Sequence, residues 1–263
     1  MRSLGLCAGM ALFLAVPQVA FGGPLYDNAS SLGTLSGPFG VVTNPGGGSG
    51  GADLSALVSP DTISGFGANT DVVRLADDFT VPAGFQWIIT GGRFLGYTVN
   101  ANAPTLIGAT VRIWSGSPLT GGTVIFGDTT TNVQTSANWL GSTPVYRALA
   151  TNPSNTQRQI QYSDSEFSIT LGPGRYWIDY ALTSSEGFVY SPPLSVSGGG
   201  AVPTGDALRY FEDIWSAMTD IDSGNPKGIP FQLYGTQVIP EPSCLLLAGL
   251  GAAGFVLLRW RKK

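Results

Sequence analysis

The chain has 263 residues, of which only 11% are charged and 43% are hydrophobic, and this composition excludes disorder over the whole length. Its 37 glycines and 18 prolines exceed the average usage of roughly 12% for the two together, which indicates many turns and few long helices. Histidine is absent, and the two cysteines, Cys7 and Cys244, lie in apolar end segments. These facts exclude Ser–His–Asp and Cys–His nucleophiles, His/Cys zinc sites and a disulfide within the middle of the chain.

The N-terminus has the pattern of a secretory signal peptide. One positive charge at Arg2 precedes an apolar run from Leu4 to Val16, and small residues follow at Ala20 and Gly22. We expect residues 1–22 to be removed by a cut after Gly22. The alternative is a retained membrane anchor, but an apolar run of this length is too short to span a bilayer.

The C-terminus has the pattern of a short membrane anchor. Residues 243–258 contain no charge, and as a helix they would be about 24 Å long, just enough to span with help from snorkelling side chains. The basic residues that follow predict a cytoplasmic tail under the positive-inside rule: Arg259, Arg261, Lys262 and Lys263. A buried core helix is the alternative, although a core helix rarely ends a chain in four cations.

Directly before this segment stands the triplet Pro240-Glu241-Pro242. The triplet, the apolar helix and the basic tail together resemble the PEP-CTERM sorting signal of Gram-negative bacteria over residues 240–263. The resemblance implies recognition by an exosortase, transient anchoring in the inner membrane, and delivery to the cell surface or beyond. Because two prolines favour extended backbone, the triplet would also be accessible as a plain linker before an anchor, which is the alternative.

The remaining body, residues 23–239, is acidic. It contains eight basic and sixteen acidic residues, a net charge of −8 that disfavours nucleic-acid partners. Residues 23–70 are Gly-rich and weakly patterned, with the run Pro45 to Gly51, so we expect little of the core from them. Residues 71–239 are predicted to form the folded domain.

The domain is predicted to be all-β. Eight stretches rich in β-branched and aromatic residues are bounded by turn residues, and no stretch is long enough for a crossover helix. We therefore predict a two-sheet antiparallel sandwich, of jelly-roll type. The predicted strands are Val72–Val81, Gln86–Val99, Leu106–Trp114, Gln157–Leu171, Tyr176–Leu182, Phe188–Ser191, Ala207–Ile214 and Ile229–Val238.

Two of these stretches resemble parts of the ectodomains that recur among PEP-CTERM proteins of unknown function. They are Leu75 to Pro82 with the following Trp87-Ile88-Ile89, and Tyr176 to Tyr180. The resemblance implies a secreted β-sandwich ectodomain and no activity.

The clearest alternation lies between Tyr176 and Leu182, and it suggests a candidate ligand site. Even-numbered residues share the core face, so Arg175, Trp177 and Asp179 share the opposite face. An aromatic ring beside charged hydrogen-bonding groups is a platform on which a sugar can stack. The alternative is that this face is covered and that Trp177 belongs to a core, since Trp is highly buried on average.

The acidic residues give no catalytic or metal site by sequence alone. Asp77 and Asp78 are neighbours in a strand, so their side chains should point to opposite faces and could not flank one glycosidic bond; a role in capping a turn or bonding Arg74 or Arg93 is favoured. Asp220 and Asp222 have the spacing of calcium-loop ligands but lack the rest of the EF-hand pattern, and an Asx turn is favoured there. We predict no cofactor.

These patterns predict an exported, non-enzymatic protein of the cell surface or extracellular matrix, with a structural or adhesive role. One alternative is a carbohydrate-binding module for exopolysaccharide, and another is a glycoside hydrolase.

Overall fold

Most of the chain consists of β-strands. The computed structural model describes residues 24–28, 39–70, 73–200, 202 and 205–240. Strands account for about 52% and helix for about 3%, which confirms the all-β prediction. In the described ranges the strands, β1 to β17 in chain order, are Tyr26–Asp27, Phe39–Gly40, Asp53–Leu57, Phe66–Gly67, Val73–Val81, Gln86–Gly96, Leu106–Ser115, Thr123–Gly127, Gln134–Trp139, Val145–Leu149, Gln161–Leu171, Gly174–Ser184, Tyr190–Ser191, Ser195–Val196, Leu208–Phe211, Ile214–Ala217 and Phe231–Val238. Two 3-10 turns lie at Ser49–Gly51 and Pro118–Thr120.

Two antiparallel sheets make up the body. One has six strands in the order β16-β15-β5-β12-β7-β8, and the other has five in the order β1-β17-β6-β11-β9. Every pairing within them is antiparallel. The jelly-roll connectivity stays a prediction.

The two sheets bury their facing sides in one hydrophobic core. The six-stranded sheet contributes alternate residues of β12, with Ile178, Tyr180 and Leu182 fully buried, as the alternation predicted. The five-stranded sheet contributes Phe94 and Phe231 from the same core. The Phe94 and Tyr180 rings lie 4.5 Å apart between centroids, so aromatic contact joins the sheets.

A bulge in β17 requires glycine. The register of β17 against β6 shifts between Tyr234 and Gly235, and Gly235 has φ of 152°. A Cβ at this position would lie 2.0 Å from the backbone oxygen of Ile88, so no other residue fits without moving a strand.

The segment before residue 71 contributes more to the core than we predicted. Val41, Val42, Leu54 and Leu57 are all buried, which shows that the expectation was wrong. The reason is that β3 pairs in parallel with β10, about ninety residues later, and a pairing across that separation has no local sequence signal. Two smaller antiparallel pairs, β2 with β14 and β4 with β13, also join this segment to the rest.

The predicted long strands correspond closely to β5, β6, β7, β11, β12 and β17. The predicted stretch from Ala207 to Ile214 is instead a hairpin of β15 and β16, with Glu212 and Asp213 at positive φ in its turn. The short strands β8 and β9 were missed because none of their residues is buried, and β10 was missed because five residues are too few to show a period.

Candidate functional site

The last strand leads directly into the sorting triplet. β17 ends at Val238, which pairs with Gln86, and Ile239 is 70% exposed beyond the sheet. Pro240 is also exposed and ends the described part of the chain. The rest of the predicted signal lies outside the described residues: Glu241, Pro242, the helix 243–258, Arg259, Arg261, Lys262 and Lys263. The signal peptide 1–22 lies outside them as well, and within them no helix is long and apolar enough to cross a membrane.

The face of the six-stranded sheet opposite the core has a buried charge network centred on Asp179. Its carboxylate accepts hydrogen bonds from Arg74 Nε at 2.5 Å, Arg112 Nε at 2.6 Å and Trp114 Nε1 at 3.0 Å. Asp179 is completely buried and Arg74 nearly so. Burial lowers the pKa of Arg74, and the Asp179 charge opposes this shift. Asp179 therefore holds two strands, β5 and β7, to its own strand β12.

Trp177 is a core residue of this second face. Its side chain is 5% exposed and packs with Ala76 and Leu208, against the half-buried Trp114 and Trp215. The sequence placed it correctly on the face opposite the main core, but side chains from neighbouring strands of the same sheet, Leu208 of β15 and Trp215 of β16, pack around its ring. The prediction of an exposed sugar platform at Trp177 is therefore corrected, and Asp179 is equally unavailable to a ligand.

Arg175 alone of the three predicted ligand-binding residues reaches solvent, with 56% of its side chain exposed. It forms ion pairs with Asp78, at 2.5 Å, and with Asp206. Its guanidinium also lies 5.6 Å from the Trp177 ring centroid. The partner of Asp78 is thus Arg175, whereas the Arg74 and Arg93 that we favoured pair with Asp179 and Asp164.

Asp77 and Asp78 lie closer together than strand alternation predicted. Carboxylate oxygens of Asp77, Asp78 and Asp206 lie within 4.8 Å of one another. The cause is the end of strand pairing: Leu208 opposite Ala76 is the last pair of β15 with β5, so the edge of β5 is unpaired from Asp77 onward. There the Asp77 carboxylate bends along the edge to accept the Asp78 N–H at 2.9 Å.

Most oxygens of this acidic cluster accept hydrogen bonds at the strand edge, but Asp206 Oδ1 is buried without a partner among the described residues. Asp77 is fully buried, its second oxygen accepts the Ile229 N–H at 2.9 Å, and the Tyr26 hydroxyl donates to the Asp78 carbonyl at 3.0 Å. Burial raises the pKa of Asp77 well above its usual value, and burial and the Asp78 charge raise that of Asp206. Oxygens at this spacing could also ligate a divalent cation, although Arg175 already neutralises two of the three groups. Sequence reasoning missed Asp206 because it follows 128 residues after Asp78.

Asp220 forms the Asx turn that we favoured over a calcium loop. One carboxylate oxygen accepts the N–H groups of Asp222 and Ser223, each at 3.2 Å. The other accepts those of Thr62 and Ile63, which fixes the loop before β4. Burial opposes ionisation of Asp220, but these four donors outweigh it and lower its pKa to about 2.

Comparison with known proteins finds one family. Residues 238–262 match the PEP-CTERM protein-sorting motif. The chain contains a PEP-CTERM sorting signal. The match confirms the resemblance proposed for residues 240–263 and implies an exosortase as the processing partner, with export and transient membrane anchoring before processing. No curated protein and no solved structure matches the chain.

Proposed function

We propose that this chain is a non-enzymatic protein of the Gram-negative cell surface or extracellular matrix, released from its PEP-CTERM anchor by an exosortase, with a structural or adhesive role. The observation that carries the proposal is the sorting signal at residues 238–262, which follows the last strand without a spacer. Processing near the triplet would free a complete β-rich body, because every strand of the described fold ends before Ile239.

The body has features suited to persistence outside the cell. Its two large sheets share one core, and buried charges such as Asp179 are fully hydrogen-bonded. In the proposed setting the exported body folds as a jelly-roll-like sandwich without needing oxidation, since both cysteines lie in the end segments. Its net charge of −8 keeps it from nucleic acid.

Two further functions are alternatives. A glycoside hydrolase needs a proton donor and a second carboxylate flanking a bound sugar. In the Asp77–Asp78–Asp206 cluster the pKa is raised at Asp77, which is completely buried, and at Asp206, which is held in an ion pair with Arg175. Glycoside hydrolysis is therefore the least favoured of the three functions. Binding of exopolysaccharide has a specific structural feature in its favour, a groove that is described in the next subsection.

The proposal is tested by expressing the chain in two hosts that differ in a matching exosortase. With the enzyme, the exported protein should lack the residues beyond about position 243; without it, the protein should stay in the inner membrane. Intact mass measurement of each fraction reads both outcomes and also locates the N-terminus, which we expect at Gly23.

A point variant tests whether the exosortase recognises the triplet itself. Glu241→Ala should reduce processing if the enzyme recognises that carboxylate, whereas Glu166→Ala, which removes an exposed glutamate from β11, should not. Equal processing in both hosts would show that the segment is only an anchor and would contradict the proposal.

A further inference from the structure

Two adjoining cavities form a groove on one side of the body. One, of about 410 Å³, is lined by Thr98, Val99, Glu186, Gly187, Phe188 and Tyr190. The other, of about 350 Å³, is lined by Ile63, Ser64, Gly65, Tyr97, Val99, Arg158 and Tyr190. They share Val99 and Tyr190 and so form one open surface, which we call the Tyr190 groove.

Three aromatic rings follow one another along the Tyr190 groove. The Phe188 and Tyr190 rings lie 5.2 Å apart between centroids, and those of Tyr190 and Tyr97 lie 5.6 Å apart and stacked. Phe188 is 39% exposed, and its ring rests on Gly67, where a Cβ would come within 2.8 Å of it. The Phe188 ring therefore packs against the backbone at Gly67 on one side and is open to solvent on the other. An aromatic ring held in this way can serve as a platform on which a sugar ring stacks.

The two charged groups of the groove are available to a ligand, and Tyr97 forms part of its floor. Tyr97 is 2% exposed, so its hydroxyl is buried below the groove surface. That hydroxyl lies against Gly65, where a Cβ would come within 2.4 Å of the oxygen, so the absence of a side chain keeps the groove floor open. Within the described ranges Arg158 and Glu186 form no salt bridge, so both are left for a ligand.

Hydrogen bonds hold both sides of the groove to the surrounding fold. Tyr97 and Tyr190 exchange two backbone hydrogen bonds, at 2.8 and 3.0 Å. On the other side, Arg147 donates to the Ser64 carbonyl at 2.9 Å and to the Ile63 carbonyl at 3.2 Å. Arg147 is buried among neutral oxygens, and this burial lowers its pKa to about 10. A groove held in place by its own framework loses little entropy on binding.

We propose that the Tyr190 groove binds a neutral hexose chain, with Phe188 and Tyr190 stacking on sugar rings and with Arg158 and Glu186 hydrogen-bonding to hydroxyl groups. The groove contains one positive and one negative side chain, Arg158 and Glu186, so its own charges cancel. The body around it carries −8 and repels an acidic polymer. This inference deepens the adhesive role and rests on it, because an exported protein would meet saccharide chains outside the cell.

The experiment is calorimetric titration of the full chain, purified in a zwitterionic detergent that has no sugar headgroup. The probes are cellohexaose, maltohexaose and mannohexaose, with a polygalacturonate hexamer as the charged comparison. At least one neutral probe should bind with a Kd of about 1 mM or tighter, and the affinity should change little with salt.

Point variants assign the binding to the groove. Phe188→Ala should weaken binding by roughly three- to tenfold, and Arg158→Gln should also weaken it. The matched controls are Phe211→Ala and Arg209→Gln on the β15–β16 hairpin, where Phe211 is 40% exposed, and they should leave the affinity unchanged. Thermal melts of each variant check that the fold is intact.

Three results would overturn the inference. They are no binding of any neutral probe, tighter and salt-sensitive binding of polygalacturonate, and equal losses in the groove and control variants. Because the titration uses purified protein, its failure would leave exosortase processing untouched, and a failure of processing would not alter the titration.

Discussion

The charge network at Asp179 gives the sharpest stability prediction, because the chain contains a matched control. We consider Asp179→Asn, which keeps the shape of the side chain and removes its charge. Arg74 and Arg112, both bonded to Asp179, would then face each other without an anion, and Arg74 is 3% exposed. Leaving a buried charge without its partner costs about 3 to 5 kcal/mol.

The control is Asp164→Asn in the other sheet. Asp164 pairs across strands with Arg93, just as Asp179 pairs across strands with Arg112. The Arg93–Asp164 pair is equally short, at 2.7 Å, but its side chains are 24% and 27% exposed. Water can replace the lost contact there, so we expect a cost of about 1 kcal/mol or less.

The assay is thermal unfolding followed by tryptophan fluorescence, since Trp114 donates directly to Asp179. For a domain of this size the expected loss lowers the melting temperature by roughly 6 to 20 °C, against a few degrees for Asp164→Asn. Adding Arg74→Met to Asp179→Asn removes the stranded charge and should recover part of the loss. Equal destabilisation by Asp179→Asn and Asp164→Asn would refute the reasoning that burial decides the cost.

Two further predictions concern residues singled out by the sequence. Trp177→Ala should lower stability by about 3 to 5 kcal/mol without changing saccharide binding, because the ring fills the cluster with Ala76 and Leu208; an unfolding midpoint close to that of the parent would contradict this packing. Asp220 has a folded pKa of about 2 against a usual 3.8, so its contribution to stability is present above about pH 4 and is lost as the pH falls towards 2. Between pH 4 and pH 2 the melting temperature should fall less steeply with pH in Asp220→Asn than in the parent protein. The same dependence on pH in both proteins would show that other carboxylates control the loss of stability in acid.

Much of the strand content could be predicted from local pattern. In β12 the alternate residues Ile178, Tyr180 and Leu182 belong to the main core as the pattern predicted, although the residues between them are buried as well. The prediction failed where a strand is short or pairs far along the chain. Four of the five residues of β3 are buried, but nothing in its sequence indicates a parallel partner at Val145–Leu149.

For the candidate sites, too, local pattern predicted the face on which a side chain lies but not its surroundings. The alternation in β12 placed Trp177 opposite the main core, yet it could not show that side chains of β15 and β16, in the same sheet, would pack around the ring and bury it. Likewise, adjacency in a strand predicted that Asp77 and Asp78 would diverge, and the end of the β5–β15 pairing brought them together with Asp206.

The sequence by itself determined what depends on contiguous residues. The absence of histidine excluded histidine-dependent catalysis, and the triplet, apolar run and basic tail defined the sorting signal because that motif is one contiguous segment. The tertiary structure alone decided which polar groups are buried together and which remain accessible. Asp179 lies between arginines 105 and 67 residues away, and the Tyr190 groove joins residues from four separate stretches of chain. Such groups meet only through the pairing of distant strands, and their solvation, which sets charge and binding capacity, is fixed by that packing and not by their neighbours in sequence.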